Sequence, residues 1–288
     1  MTVTLLRGGV SAAPASSNAS STVSSNASSN ASSNASGPIT IFFAGWGMDE
    51  TPFASWRTDA AMPSTLILVD DHVMENHPVL HWILEQKLSE TDDGSEQPAL
   101  HVVGWSFGVR AAADWLDRAF EDPDLRELLS AREVALSFFA GTLLPVDRTY
   151  GIPPAVAALT QKTLSPESAA TFRQRMCGES AENNPFVLTP PVRTVESLAR
   201  ELSFFRTLPA PPDENPAAAL ARIAESLPAL SVTAHAAGKD AIVPPATQER
   251  FWTKAEELLG KEKLTVRTHP DAPHGDFDLL TQIVRGNA

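Results

Sequence analysis

A serine between two glycines has the setting in this chain that best fits nucleophilic chemistry. Residues 100–113 run from an apolar segment through a G-x-S-x-G pattern at 104–108 into an alanine-rich stretch, with Ser106 at the centre of the pattern. A strand, a sharp turn and a helix in that order present the serine hydroxyl at the tip of the turn. The bare pattern arises by chance in roughly one chain of this length in ten, and an ordinary surface turn is the alternative. The prediction therefore depends on partners elsewhere in the sequence.

The seven histidines compete for the role of the base that accepts the serine proton. Where a serine occupies such a turn, the acid and then the histidine follow it along the chain, which disfavours the four histidines that precede Ser106. His274 lies in a proline-bounded loop after the last predicted strand, where its ring would overhang the serine. His235 precedes the candidate acid and His269 ends a predicted strand, so His274 is the predicted base.

Two aspartates are candidates for the acid that orients this histidine. Asp240 lies in a Gly-Lys-Asp turn that follows the penultimate predicted strand, and it is the preferred candidate. Asp147 follows the strand before that one and remains the alternative. Aspartate is also common in turns for purely local reasons, so Asp240 as a simple turn residue stays open.

A second glycine-rich turn is the candidate source of an oxyanion donor. The buried-strand pattern at 38–44 leads directly into Gly45, Trp46 and Gly47. In enzymes with a nucleophile turn of this kind, one donor is a backbone N–H from such a turn and the other is the N–H after the nucleophile. These would be the backbone N–H groups of Trp46 and Phe107, with a plain strand-to-loop turn as the alternative.

Strand and helix patterns alternate along the rest of the chain. Such alternation predicts an α/β protein with a mainly parallel central sheet and helices on both faces, and with the serine turn it predicts an α/β-hydrolase fold. The predicted strands cover residues 3–6, 38–44, 64–70, the segment before Ser106, 134–141, 229–234 and 264–268.

The middle of the chain differs from its two ends. Residues 151–227 contain many prolines and no convincing strand pattern, which predicts an inserted helical cap between two parts of one core, 1–150 and 228–288. Residues 11–37 are mostly Ser, Asn and Ala; such a segment buries too little apolar surface to offset its ordering entropy. We expect a disordered loop there.

Composition excludes several classes of protein. A net charge of −13 argues against nucleic-acid binding, and the single cysteine, Cys177, excludes a disulfide within the chain. No apolar run is long enough to span a membrane, and the first residues lack the features of a signal peptide. The simplest expectation is a cytoplasmic enzyme that needs no metal or organic cofactor.

Four stretches of the chain resemble one known family, the BioG-type pimeloyl-[acyl-carrier protein] methyl ester esterases. They are residues 42–53 (Phe-Phe-Ala-Gly-Trp-Gly-Met-Asp-Glu-Thr-Pro-Phe), the serine turn 104–109, the post-strand segment 141–153 and residues 172–177 (Phe-Arg-Gln-Arg-Met-Cys). The chain departs from the family pattern in the Ser/Asn/Ala tract and at Ala140, where the pattern leads us to expect Asn.

The resemblance implies an α/β hydrolase that releases methanol from the methyl ester of pimeloyl-carrier protein in biotin synthesis. Ser106 would attack the ester, His274 would move the proton and Asp240 would orient His274. Carrier proteins are acidic, so an acidic esterase needs a local basic face to bind one. Residues 155–210 carry six basic and five acidic side chains. The residues predicted to meet the carrier protein are Arg173, Arg175, Arg193, Arg200 and Arg206.

Two other functions remain open at the level of the sequence. A general esterase or thioesterase for short acyl chains would use the same three residues, and only its substrate preference would differ. A catalytically silent binding protein with the same fold would have been free to lose Ser106, Asp240 or His274, and all three are present.

Overall fold

The computed structural model describes residues 2–8, 38–73, 78–89, 98–208 and 215–288. The Ser/Asn/Ala tract predicted to be disordered lies outside these residues. The described strands are β1 (Thr2–Arg7), β2 (Ile39–Phe43), β3 (Thr65–Asp70), β4 (Leu100–Trp105), β5 (Val134–Phe139), β6 (Leu230–Ala237) and β7 (Leu264–His269). The described α-helices are α1 (Pro78–Ser89), α2 (Phe107–Ala119), α3 (Pro123–Ser130), α4 (Pro154–Lys162), α5 (Pro166–Cys177), α6 (Pro185–Leu188), α7 (Val195–Thr207), α8 (Ala218–Ser226), α9 (Pro245–Leu259) and α10 (Phe277–Val284).

The strands form one sheet in the order β1-β3-β2-β4-β5-β6-β7. Every neighbouring pair is parallel except β1 and β3, which are antiparallel at the edge. The prediction of a mainly parallel sheet is confirmed. In this arrangement the carboxyl ends of β2, β4, β5, β6 and β7 meet at one edge, where ligand sites of parallel sheets usually lie.

Both faces of the sheet are covered, and alternate residues of one strand show how. On β2, Ile41 and Phe43 pack in one apolar cluster with α2, whereas Phe42 packs in the other with the 3-10 helix Thr51–Arg57 and α10. All five residues of β2 are buried. A strand buried on both faces is typical of a parallel sheet between helical layers, as predicted.

The described part of residues 151–227 contains helices and no strand, apart from an isolated bridge between Val146 and Ile152. Helix α4 packs against α7, and α5 packs against α6, whereas α8 packs against α2 and α9 beside the sheet. The division into core and cap stays a prediction. No helix in the described ranges combines the length and apolarity that a membrane span requires.

Within residues 1–150 and 228–288, two of the described elements were not predicted from the sequence. The 3-10 helix Thr51–Arg57 follows the turn after β2, and α3 begins after Asp122, whose side chain accepts hydrogen bonds from the backbone of Asp124 and Leu125. An Asp-Pro pair at a helix start is a recognisable capping signal, so α3 could have been found.

Candidate active site

Ser106 lies at the sharp turn between β4 and α2, in a backbone conformation that non-glycine residues rarely adopt. Its φ is 58° and its ψ is −120°, a strained combination of the kind found where a side chain must be presented. A Cβ at Gly108 would lie 2.0 Å from the carbonyl oxygen of Phe43, and one at Gly104 would lie 2.8 Å from that of Gly108. The close approach of strand and helix therefore requires both glycines.

The structure brings the three residues singled out in the sequence into one hydrogen-bonded chain. The Nε2 atom of His274 lies 2.9 Å from the Oγ atom of Ser106, and its Nδ1 atom lies 2.8 Å from the Oδ2 atom of Asp240. All three side chains are buried. They come from the loops after β4, β6 and β7, at the carboxyl edge of the sheet.

Asp240 is held by more than its contact with the histidine. Its Oδ1 atom accepts hydrogen bonds from the backbone N–H groups of Ile242 at 2.7 Å and Val243 at 2.8 Å, and its Oδ2 atom accepts one from the Nε2 atom of Gln248 at 2.8 Å. These three donors and the imidazole of His274 fix the plane of the carboxylate. A buried carboxylate so arranged can orient an imidazole and stabilise its protonated form.

Sequence reasoning missed Gln248, although a signal was present. Gln248 occupies a core-facing position of α9, on the same face as Phe251, Trp252 and Ala255, and it is fully buried. An amide among apolar residues at helical spacing needs a hydrogen-bond partner inside the protein. Here those partners are Asp240, the carbonyl of Val243 and the N–H of Ala237.

Asp147, the alternative acid, has a different role in the structure. Its Oδ1 atom accepts hydrogen bonds from the backbone N–H groups of Thr149 at 2.7 Å and Tyr150 at 2.8 Å. This geometry closes a local turn after β5. Asp240, not Asp147, is the carboxylate that contacts His274.

The loop that carries His274 is fastened at three points that the sequence did not indicate. The indole N–H of Trp105 donates to the carbonyl of His274 at 2.8 Å. The N–H of Gly275 donates to the carbonyl of Met176, and the side-chain amide of Asn184 donates to the carbonyl of Gly275, both at 2.8 Å. The position of the imidazole thus depends on β4 and on the helical segment.

The two residues predicted to supply oxyanion donors, Trp46 and Phe107, lie in the turn after β2 and at the first position of α2. Phe107 is the first residue of α2, so its N–H has no acceptor within the helix. The turn after β2 packs beside the serine, since a Cβ at Gly45 would lie 3.3 Å from the Cβ of Ser106. Neither of these two N–H groups donates to an acceptor in the described ranges.

Three other histidines of the sheet region, two of them buried and His101 half-buried, have partners of their own. The Nε2 atom of His72 lies 2.8 Å from the carbonyl oxygen of Ala44, and burial lowers the pKa of His72 to about 4. The Nε2 atom of His101 lies 2.9 Å from Ser137 Oγ. His235 stacks on His269 with ring nitrogens 3.0 Å apart, and burial lowers the pKa of His235 to about 3.

A cavity that opens to solvent lies over Ser106. Its walls are mostly apolar and come from both the sheet edge and the helices, and Arg175 is the cation among the lining residues. The guanidinium of Arg175 lies 5.7 Å from the centre of the Phe172 ring. A neighbouring open groove shares four residues with this cavity and adds hydroxyl-bearing ones. The shared residues are Trp46, Thr160, Phe172 and Arg175; the added residues with hydroxyls are Thr163, Ser168 and Thr171.

The five arginines singled out in the sequence lie in different environments. Arg175 is exposed at the cavity, and Arg173 is half-buried on the same helix, where burial lowers its pKa. Arg193 forms ion pairs with Asp71 at 3.1 Å and Glu201 at 3.4 Å, and its side chain is largely buried. The remaining two are exposed and paired: Arg200 with Asp71 and Arg206 with Gln161.

The backbone conformation of Ala140 explains why the family pattern has Asn at this position. Its φ is 50°, in the left-handed region. Asn tolerates that conformation better than Ala does, so the expected Asn at this position has a conformational explanation.

Within the described ranges, no group of three side chains of the metal-binding types lies close enough to hold a metal ion.

Comparison with known proteins identifies the family of this chain. The family model described as pimeloyl-ACP methyl esterase BioG matches residues 29–262. A malonyl-[acyl-carrier protein] O-methyltransferase of Bacteroides fragilis is 32% identical over 217 residues, which are 74% of this chain and 36% of that protein. An uncharacterised protein of Haemophilus influenzae is 30% identical over 151 residues, 52% of this chain and 62% of that protein. The chain thus spans only about a third to three fifths of these relatives.

Solved structures with a similar fold include BioG from Haemophilus influenzae and a thermophilic esterase from Thermogutta terrifontis. The BioG structure has a TM-score of 0.53 and 20% identity, over 85% of this chain and 92% of that one. The esterase has a TM-score of 0.53 and 16% identity, over 87% of this chain and 89% of that one. At these identities the likeness shows the fold, which is that of the α/β hydrolases. Because the family model covers most of its length, the chain belongs to the pimeloyl-ACP methyl esterase BioG family.

Proposed function

We propose that this α/β hydrolase cleaves the methyl ester of pimeloyl-acyl-carrier protein, with Ser106, His274 and Asp240 as its catalytic triad. The observation that carries the proposal is the hydrogen-bonded chain from Ser106 through His274 to Asp240 beneath an apolar cavity. The family match supports the choice of substrate. The product would be methanol and a carrier-linked pimeloyl chain with a free carboxylate, the form that biotin synthesis uses.

In the first half of the reaction, Ser106 Oγ attacks the ester carbonyl carbon while His274 Nε2 takes the hydroxyl proton. Asp240 keeps the Nδ1 atom of His274 protonated and stabilises the imidazolium. The carbonyl oxygen becomes an oxyanion that accepts hydrogen bonds from the backbone N–H groups of Trp46 and Phe107. The tetrahedral intermediate then breaks its bond to the methoxy oxygen, which leaves as methanol with the proton from His274.

In the second half, a water molecule attacks the acyl group now bound to Ser106. His274 takes a proton from the water and returns it to Ser106 Oγ when the acyl–enzyme bond breaks. One ester and one water thus give one carboxylic acid and one methanol. These residues account for each proton transfer without a metal ion.

The cavity and the groove beside it suggest how a long substrate would lie. The acyl chain would occupy the apolar cavity next to Ser106. The polar arm that links it to the carrier protein would follow the hydroxyl-lined groove past Arg175. A simple short-chain ester would fill the cavity alone, so the groove favours a substrate with a polar extension.

The surface around Arg175 is suited to an acidic carrier protein. Arg173 and Arg175 lie on α5, and the apolar side chains of Val156 and Leu159 on neighbouring α4 are exposed. Positive charge beside exposed apolar groups is a common composition for a transient docking face. Arg193 is engaged in buried ion pairs with the protein's own carboxylates, and we leave it out of the proposed docking face.

The substrate is tested by comparing two methyl esters of the same acyl group. Purified enzyme is incubated with methyl pimeloyl-carrier protein and, separately, with dimethyl pimelate, and methanol release is followed. We expect a kcat/KM at least about 100-fold higher for the carrier-linked ester, because interactions with the remote part of a substrate lower the barrier at the reacting group.

Two other outcomes would redirect the proposal. Equal kcat/KM values for the two esters, or faster cleavage of short free esters, would favour the general esterase or thioesterase. Binding of the carrier-linked ester without any methanol release would favour a catalytically silent binding protein.

A further inference from the structure

The turn that follows β2 is tied to α7 as well as to the sheet. The N–H of Gly47 donates to Glu201 Oε2 at 3.1 Å, and the indole N–H of Trp46 donates to the carbonyl of Leu198 at 2.9 Å. Gly47 has a φ of 77°, and a Cβ there would lie 2.8 Å from Leu198 Cδ2. Both the backbone and a side chain of the turn therefore bind the same helix at close range.

Glu201 joins two segments that leave the sheet at neighbouring strands. Its Oε2 atom accepts from Gly47, after β2, and its Oε1 atom accepts from the N–H of His72, after β3, at 3.2 Å. The residue is fully buried. A buried carboxylate that accepts backbone hydrogen bonds from two segments fixes the distance and orientation between them.

Arg193 completes this arrangement from the loop before α7. Its guanidinium lies 3.4 Å from Glu201 Oε2 and 3.1 Å from Asp71 Oδ1, and it donates to the carbonyl of Met48 at 3.0 Å. Burial raises the pKa of Glu201, and the charge of Arg193 and the backbone donors oppose that rise. The arginine thus supports the charged form of Glu201 and holds the far side of the same turn.

The consequence concerns the peptide between Trp46 and Gly47. Because Glu201 accepts from the Gly47 N–H, it fixes the plane of the Trp46–Gly47 peptide. That peptide meets, at the Trp46 Cα, the peptide that carries the Trp46 N–H, so it limits how the Trp46 N–H can turn. An oxyanion donor accelerates a reaction only if it is already aimed at the position where charge develops. We propose that Glu201 is a positioning residue that holds the oxyanion turn through Gly47. This inference rests on the proposed ester hydrolysis, in which Trp46 N–H binds the oxyanion.

The test is the nearly isosteric substitution Glu201→Gln. Glutamine keeps the size of the side chain but loses the charge and one acceptor oxygen, so one of the two backbone contacts is lost and the other, together with the contact to Arg193, is weakened. We expect kcat for the methyl ester to fall about 10-fold, less than the loss of a whole oxyanion donor, while KM changes less than about twofold. The variant Glu196→Gln, at an exposed position of the same helix, is the matched control and should match the wild type.

A second measurement separates positioning from a loss of folding. A trifluoromethyl ketone forms a tetrahedral adduct with the serine whose oxyanion occupies the same hole, so its affinity should fall by the same factor as kcat/KM. A substitution that only unfolds a fraction of the molecules would lower Tm and the number of sites that bind the ketone. It would not change the affinity of the molecules that stay folded. Unchanged ketone affinity and unchanged kcat in folded Glu201→Gln would overturn the inference.

If Glu201→Gln does not fold, Trp46→Phe provides the second test. Phenylalanine keeps an aromatic ring and the backbone N–H but removes the indole hydrogen bond to Leu198. We expect a smaller fall in kcat and in ketone affinity by a common factor. Ser106→Ala separates a failure of the proposed function from a failure of this inference. Activity retained without the serine contradicts the proposed function. If activity depends on Ser106 but neither Glu201→Gln nor Trp46→Phe changes it, only the positioning role of Glu201 is contradicted.

Discussion

The carboxyl edge of the sheet and the helices α4 to α7 contrast in how their side chains are held. At the sheet edge, Ser106, Asp240 and His274 are buried and hydrogen-bonded to one another. In the helical segment, charged groups such as Arg175 and apolar ones such as Val192 face solvent. Residues that move protons need fixed geometry, whereas residues that meet a partner need access.

The contrast is not a clean separation, because the helices also reach into the sheet edge. Met176 and Asn184 fasten Gly275, next to His274, and Glu201 fastens the turn that carries Trp46. The residues proposed to carry out the chemistry and those proposed to select the substrate therefore lie in two regions that are joined by hydrogen bonds. Substitutions in each region test how far the two roles are separate.

The largest effect is expected at the sheet edge from Ser106→Ala. Without the hydroxyl there is no acyl–enzyme, and kcat for methanol release from the carrier-linked ester should fall by about 10⁶-fold. Methanol assays on purified protein measure it, with circular dichroism to establish that the variant is folded. Turnover close to the wild-type value would falsify the nucleophile assignment.

The next largest effect is expected for Asp240→Asn. An amide there favours the wrong tautomer of His274, and the equivalent change in a serine protease with a Ser-His-Asp triad lowers kcat by about 10⁴-fold. Asp147→Asn is the matched control, since Asp147 accepts hydrogen bonds from its own turn, and its kcat should equal that of the wild type. If Asp147→Asn caused the large loss and Asp240→Asn did not, the acid would be Asp147.

The sheet region should also lose stability in acid, because it contains buried histidines. Residues 151–227 contain no histidine and should not show this effect. The pKa of His235 is lowered to about 3 by burial. In the unfolded chain its pKa is near 6.5, so the unfolded state binds more protons below that pH. The stability contributed by the neutral form is present above pH 6.5 and is lost towards pH 3. From pH 7 to pH 5, His235 should reduce the free energy of unfolding by about 2 kcal/mol.

Urea unfolding of wild type and His235→Asn at pH 7 and pH 5 measures this contribution. The fall in unfolding free energy between the two pH values should be smaller in the variant by about 2 kcal/mol. Comparing the two proteins removes the opposing contribution of buried carboxyls such as Glu201, whose pKa is raised by burial. Equal falls in both proteins would show that His235 does not titrate as its burial implies.

The smallest effect is expected in the helical segment from Arg175→Glu. Reversing one charge at a docking face should raise KM for the carrier-linked ester by about 10-fold more than KM for dimethyl pimelate. Lys261→Glu, an exposed charge reversal between α9 and β7, is the control and should leave both constants unchanged. A common change in KM for both esters after Arg175→Glu would assign Arg175 to the cavity alone, not to a docking face.

Much of the fold could be predicted because its signals are local. The runs that became β2 and β5 are rich in branched and aromatic residues and are bounded by turns. The sequence predicts that β6 ends at residue 234, whereas the strand continues to Ala237, which pairs with His269 of β7. Small residues such as alanine carry little strand preference of their own, so the neighbouring strand decided that boundary.

By itself the sequence determined the types and the order of the reacting groups: a serine in a glycine-flanked turn, an aspartate after one strand and a histidine after the last. Those signals are local, and the family resemblance added the expected substrate. Only the tertiary structure decided that Asp240, and not Asp147, contacts His274, and that Arg193 is buried beside Glu201 instead of facing a partner. Such contacts join residues as far apart as Ser106 and His274, 168 positions along the chain. They depend on how strands and helices pack, which no short stretch of sequence specifies.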